Sequence, residues 1–278
     1  MKTLYLSDLD GTLLRPDEKV SSYSAEIINR FVRSGGCFSY ATARSIVTAS
    51  KVTAGIKSEF PVIAFNGAFI IDNSTKEILL SNYFTPDESI YVRHELCQRG
   101  VYPIVYAFVD HQERFSFIES SVTKEMRFFF DNRTDDIRRR KVQNTDELYM
   151  GDMFYYACMD SEAALAPVNE IFKLDSRYQC IYQKDIYSGA QWCELLPAKA
   201  NKANAALQLR EMFDCERIVS FGDGINDISL FEISDECYAV ANAVPELKAI
   251  ATAVIGSNVE DGVARWMSQH ATIDVKYL

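Results

Sequence analysis

The sequence predicts an α/β fold: a parallel-sheet core built from both ends of the chain, with an α+β domain inserted between them. Three observations carry this. Short apolar runs alternate with helical patterns over the first 80 residues and again after Trp192, the rhythm of strands joined by crossover helices. Between about 82 and 190 the texture changes, with more aromatics, more charges and longer gaps. The 278 residues, 48% of them hydrophobic, suffice for one large or two modest domains. The core is therefore expected at 1–81 and 191–278, and the inserted domain at 82–190.

The first strand is expected over 3–7, where Leu4, Tyr5 and Leu6 form an apolar run that ends in Asp8 and Asp10. A helix follows over 24–34, with Ile27, Ile28, Phe31 and Val32 at helical spacing and Gly35-Gly36 as its stop. Then come a strand over 37–41, a helix over 45–54 and a strand over 61–65. In the middle, 101–108, 114–119, 152–159 and 178–183 read as strands, and 86–98 and 161–172 as helices. The core resumes with a strand over 192–196, a helix over 201–213 and a strand over 217–221. Helices over 226–233, 245–251 and 260–270 enclose strands over 237–240 and 253–255.

Composition excludes several classes. No run of about 18 apolar residues is present, so no membrane span is expected. The N-terminus turns acidic before a signal-peptide core can form. Lys and Arg number 29 against 39 Asp and Glu, a net charge of −10 that argues against a nucleic-acid partner. The one basic run, 138–141, is flanked by acids and reads as a solvated helix face or loop. Seven scattered cysteines without a CxxC pair fit a reducing cytoplasm better than a disulfide framework.

The chemistry-bearing residues gather at predicted strand ends, where open α/β sheets bind ligands. Burying Asp8 and Asp10 is costly unless they are paired, protonated or bound to a metal. Gly11 permits a sharp turn, and Thr12 adds a hydroxyl and an amide. Alone, Asp-Gly is common turn chemistry. A second acidic turn, FGDGIND over 221–227, places Asp223 and Asp227 four apart after another strand. Ile228 stands where an EF-hand loop needs Gly, and GxGxxG is absent, so neither of those motifs applies. Two acidic turns on one sheet suggest a divalent metal between them, completed by water and a substrate phosphate. Thr42 precedes a helix, where its hydroxyl and the helix amides can receive phosphate oxygens or simply cap the helix. Asn66-Gly67 has the look of a turn. Lys202 opens a helix against its dipole, which is odd for stability and apt for an anion; Lys199 is a nearby competitor.

On these residues the chain resembles the haloacid dehalogenase-like phosphatases, most closely the Cof-type branch. DxDGT is matched by Asp8, Asp10, Gly11 and Thr12, the second motif by Thr42, the third by Lys202, and GDxxND by Gly222, Asp223, Asn226 and Asp227. NGA at Asn66 to Ala68 and EDGVA at Glu260 to Ala264 are features of the branch. Departures are Ala43 in place of Gly, the segment Lys199-Ala200-Asn201-Lys202-Ala203 and a short VANAV.

The resemblance implies a Rossmann-like core with helices on both faces and a specificity-setting α/β cap. It implies a Mg²⁺-dependent phosphatase of small phosphorylated metabolites, a sugar phosphate or similar monoester, working through an aspartyl-phosphate. Asp8 is then the nucleophile, Asp10 the acid and base, and Lys202 a charge-stabilising catalytic group. Thr42, Asn226, Gly11 and Thr12 bind phosphate. Asp8, the Asp10 carbonyl and Asp223 hold the metal, and Asp227 supports it from behind. Arg44 and Asn66 are candidate substrate contacts. In the inserted domain, candidate contacts include Arg114, Lys124, Arg127, Tyr155 and Tyr187. A monomer or weak homo-oligomer is expected. Phosphotransfer of the phosphomannomutase type and an idle phosphate-binding module are the alternatives.

Overall fold

The computed structural model describes residues 2–131, 133–185 and 189–271; Tyr187 falls outside them. Two compact units form, Met1–Ser81 with Ala200–Leu278, and Asn82–Lys199.

The first unit opens with β1 (Thr3–Ser7), α1 (Ser22–Arg33), β2 (Cys37–Tyr40), α2 (Ile46–Val52), β3 (Val62–Ala64), β4 (Phe69–Ile71) and β5 (Ile78–Ser81). The second contains α3 (Pro86–Gln98), β6 (Ile104–Val109), β7 (Gln112–Ile118), α4 (Lys124–Asp131), β8 (Arg139–Val142), α5 (Thr145–Leu148), β9 (Asp152–Asp160), α6 (Glu162–Phe172), β10 (Tyr178–Lys184) and β11 (Gln191–Pro197). The first then resumes with α7 (Lys202–Met212), β12 (Arg217–Gly222), α8 (Ile228–Ile233), β13 (Glu236–Val240), α9 (Pro245–Ile250), β14 (Ala253–Ile255) and α10 (Gly262–His270).

In the first unit five parallel strands run in the order β14-β13-β12-β1-β2. Every residue of β1 is buried, as a strand covered on both faces requires. Alternation sends Leu4 and Leu6 to one face, where they pack with Ala205, Ala206 and Leu209 of α7 and Leu230 of α8. Tyr5 points the other way, onto Phe31 of α1 and Trp266 of α10. After β1 the chain turns to β2 on one side, while β12 lies on the other, so the strand order reverses between β1 and β12. Ligands bind at such a crevice in open α/β sheets. A three-stranded antiparallel sheet, β3-β4-β5, joins β2 through a parallel bridge between Ala41 and Ile63.

The second unit is a six-stranded sheet in the order β10-β11-β9-β6-β7-β8, antiparallel except for β7 with β8. One face carries Val105, Tyr156, Cys158, Cys193 and Leu195 against Val92 and Leu96 of α3 and Leu165, Val168 and Phe172 of α6. On the other, Phe115 and Phe117 meet Phe129 and Phe130 of α4.

Two expectations are corrected. The strand expected over 192–196 as the return of the core pairs instead with β9 and β10, so the first unit resumes at Ala200 rather than at 191. The reason is its alternation, which turns Cys193 and Leu195 onto the α3–α6 core. The basic run 138–141 is neither helix face nor loop: 139–141 open β8, and Arg138 is buried between Glu113 and Asp136 at 2.6 Å each. The helix α4 and the strands β4 and β5 were not foreseen. Met126, Phe129 and Phe130 carry the helical spacing that marks α4.

Candidate active site

At the end of β1 the backbone N–H of Asp8 donates to the Phe221 carbonyl at 2.9 Å, tying the carboxyl ends of β1 and β12 together. The chain then turns through Leu9–Leu13 with Gly11 at φ +78°. A Cβ on Gly11 would come within 2.2 Å of an Asp223 carboxylate oxygen, so the close approach of the two acidic turns needs glycine there. The hydroxyl of Thr12, expected at the phosphate, donates to Asp223 Oδ1 at 2.9 Å and fixes that carboxylate instead. Asn242, which the sequence did not single out, donates to the Gly11 carbonyl at 2.7 Å.

Lys202 stands at the first position of α7, capped by Asn201, whose side chain accepts from the Asn204 amide. Its ammonium lies 2.5 Å from Asp8 Oδ1 and 2.6 Å from Asp227 Oδ1, and all three side chains are buried. Lys199, the competitor, is exposed. The other oxygen of Asp227, Oδ2, accepts from the backbone amides of Asp223 and Gly224 at 3.0 and 3.1 Å. Both oxygens of Asp227 are therefore committed to the protein.

Carboxylate oxygens of Asp8, Asp223 and Asp227 lie within 4.8 Å of one another. Burial pushes the Asp8 carboxyl well above the usual carboxylate range; Lys202 opposes this, while Asp227, Asp223 and Asp10 add to it. Burial, then Asp227, raises Asp223 to about 7. For Lys202 burial works against the charge, but Asp227 and Asp8 outweigh it and hold the ammonium protonated. Three carboxyl groups around one ammonium make a cluster of hard oxygen donors whose full ionisation calls for further positive charge. That donor set suits a small hard divalent cation. Asp8 and Asp223 have oxygens to offer such a cation, whereas both oxygens of Asp227 are already bonded within the protein.

On the other side of β1, Thr42 follows β2 and is fully buried. Its Oγ1 accepts from the Arg44 amide at 3.1 Å, and its carbonyl accepts from the Asn66 amide at 2.8 Å. The side chain of Asn226 donates to Asn66 Oδ1 at 3.1 Å. Asn66, a turn by its residues alone and a candidate substrate contact by the resemblance, is thus brought to the motif residues. Asp10 points to Arg44, which donates to both its oxygens at 2.8 and 2.6 Å and to Glu18 at 2.6 Å. Glu18 was missed; no local signal pairs it with an arginine 26 residues on.

In the second unit, Tyr155 is buried and its hydroxyl bonds Glu194. Arg114 bonds the Ile137 carbonyl and Gln112.

A family model described as haloacid dehalogenase-like hydrolase matches residues 5–267. The 5-amino-6-(5-phospho-D-ribitylamino)uracil phosphatase YwtE of Bacillus subtilis is 27% identical, over 94% of this chain and 96% of its own. The pyridoxal phosphate phosphatase YbhA of Escherichia coli is 23% identical, over 95% and 96%. The crystal structure of TM0651 from Thermotoga maritima shares the fold, with a TM-score of 0.78 over 98% of this chain and 99% of that one at 22% identity.

Proposed function

This chain belongs to the haloacid dehalogenase-like hydrolases, and on that footing we propose that it is a Mg²⁺-dependent phosphatase of small phosphorylated metabolites, of the Cof type. The observation that carries the proposal is the Lys202 ammonium bridging Asp8 and Asp227 beside Asp223, at the crevice between β1 and β12. Relatives over nearly the whole chain are phosphatases of a ribityl phosphate and of pyridoxal phosphate. They support a phosphomonoester of a sugar or similar small metabolite as substrate.

Asp8 is the nucleophile. A free oxygen of its carboxylate attacks phosphorus, the P–O bond to the alcohol breaks, and the leaving oxygen takes a proton from Asp10. Water then attacks the aspartyl-phosphate, gives its proton to Asp10, and releases phosphate with Asp8 restored. Lys202 holds Asp8 in place and offsets charge on the transferring group. Thr42 and Asn226 receive phosphoryl oxygens, with backbone amides at Gly11 and Thr12. Asp8, Asp223 and the Asp10 carbonyl would hold Mg²⁺, which would supply positive charge that lessens repulsion between a carboxylate and an anionic ester. Asp10 as it stands is paired with Arg44, so its service to a leaving group requires that pair to open.

The second unit is read as the domain that sets substrate specificity. No helix among the described residues is long and apolar enough to cross a membrane, and all seven cysteines are free thiols. The thiols support a cytoplasmic enzyme, taken here as a monomer or weak homo-oligomer.

The test is phosphate release from a panel of alkyl and aryl phosphates with Mg²⁺ and with EDTA. Release that needs the metal is expected, and no release from any ester by folded protein overturns the proposal. Asp10→Asn should slow alkyl esters by about 100-fold or more while sparing reactive aryl esters, whose leaving groups need less protonation. Equal damage to both classes removes Asp10 from the acid role.

A further inference from the structure

The Asn66 carboxamide stands apart from the other polar groups around the site. Asn66 is 1% exposed. Its Oδ1 accepts from Asn226, yet its Nδ2 is buried and has no hydrogen-bond partner. Leaving a buried donor unmade is costly, and such groups in folded proteins call for an explanation.

The backbone bears a second cost. Phe65, Asn66 and Gly67 all have positive φ, at 49°, 53° and 103°. Asn tolerates that region better than most residues, but a run of three is not a relaxed turn. The run wedges Asn66 among three parts of the site. Its amide bonds Thr42, its side chain bonds Asn226, and a Cβ on Gly67 would come within 2.3 Å of the Asn201 carbonyl, at the cap of the helix that carries Lys202. The strain therefore aims one uncommitted N–H donor among residues assigned to the phosphoryl group.

We propose that Asn66 is a substrate-binding residue whose Nδ2 donates to a non-bridging oxygen of the phosphoryl group, with Asn226 holding the carboxamide in the orientation that presents it. This rests on the phosphatase reading. It assigns the contact to the phosphate, which every substrate and the product share, and not to the alcohol.

The conservative test is Asn66→Asp. Aspartate fits the same φ, and its Oδ1 still accepts from Asn226. The uncommitted NH₂ becomes an oxygen, and the carboxylate also adds a negative charge that repels phosphate by itself. Asn66→Gly suits the positive φ and removes the donor without adding charge, so both variants are measured and the glycine variant decides. Inhibition by inorganic phosphate is read beside KM and kcat for one alkyl and one aryl ester. The phosphate inhibition constant and both KM values should rise together by roughly tenfold to 100-fold, the worth of one charge-assisted hydrogen bond. An unchanged phosphate constant in a folded variant overturns the proposal. So does a rise in KM confined to one ester, which would place the contact on the leaving group.

If the wild type releases no phosphate from any ester, the phosphatase reading fails by itself. Calorimetric binding of inorganic phosphate to the same proteins then decides the Asn66 contact: weaker binding by the variants supports it, and equal or absent binding overturns it.

Discussion

Lys202 occupies the place in α7 where the helix end is itself positive, so only its partners explain it. Those partners are Asp8 and Asp227, both buried. Removing one member of a buried ionic group leaves charge uncompensated, which costs about 3–5 kcal/mol. Lys202→Met should therefore lower stability by about that much in EDTA, and saturating Mg²⁺ should recover part of the loss. Thermal unfolding with and without metal checks this; a variant as stable as wild type in EDTA would contradict the bridging role. The lysine was legible as an oddity of position, and Asp8 and Asp223 as acids at strand tips. Glu18, Asn242 and the Thr12 hydroxyl were not. Their partners lie 26 to 231 residues away, a distance over which spacing carries no information.

Strand β11 shows where legibility stops at the level of the element. Its apolar run announces a strand, and the strand is there. Its sheet was misjudged, because pairing with β9 and β10 is decided by which neighbours bury Cys193 and Leu195. The same alternation turns Glu194 to the opposite face, 4% exposed, where its carboxylate accepts from the Tyr155 hydroxyl. Burial raises Glu194 from its ordinary 4.5 to about 7, with the Tyr155 bond opposing the rise. The folded state thus holds a proton that the unfolded chain has already released. The contribution of Glu194 is complete below about 4.5 and is lost as pH rises through about 7, on the order of 3 kcal/mol in all. Glu194→Gln keeps an acceptor for Tyr155 and removes the titration. It should change stability little at pH 5 and raise it at pH 8, by denaturant unfolding at the two values; parallel pH profiles for variant and wild type would contradict the assignment.

At the scale of the whole molecule, every residue assigned to the chemistry, from Asp8 to Asp227, belongs to the unit made from the two ends of the chain. That organisation was legible because alternating strands and helices recur on both sides of a differently textured stretch. The unit ends at Ser81 and resumes at Ala200, because β11, which looks like a core strand by composition alone, pairs with β9 and β10. A net charge of −10 gives an anionic ester no general attraction. Under the proposed function all the needed positive charge is therefore local, at Lys202 and a divalent cation beside Asp8. The measurement that tests this most directly is phosphate release by Asp8→Asn beside the wild type, with both proteins shown folded and with Mg²⁺ saturating. The account predicts a loss of turnover of about 1,000-fold or more on every ester the wild type cleaves. Turnover retained within about tenfold would contradict it, because phosphoryl transfer would then not pass through Asp8.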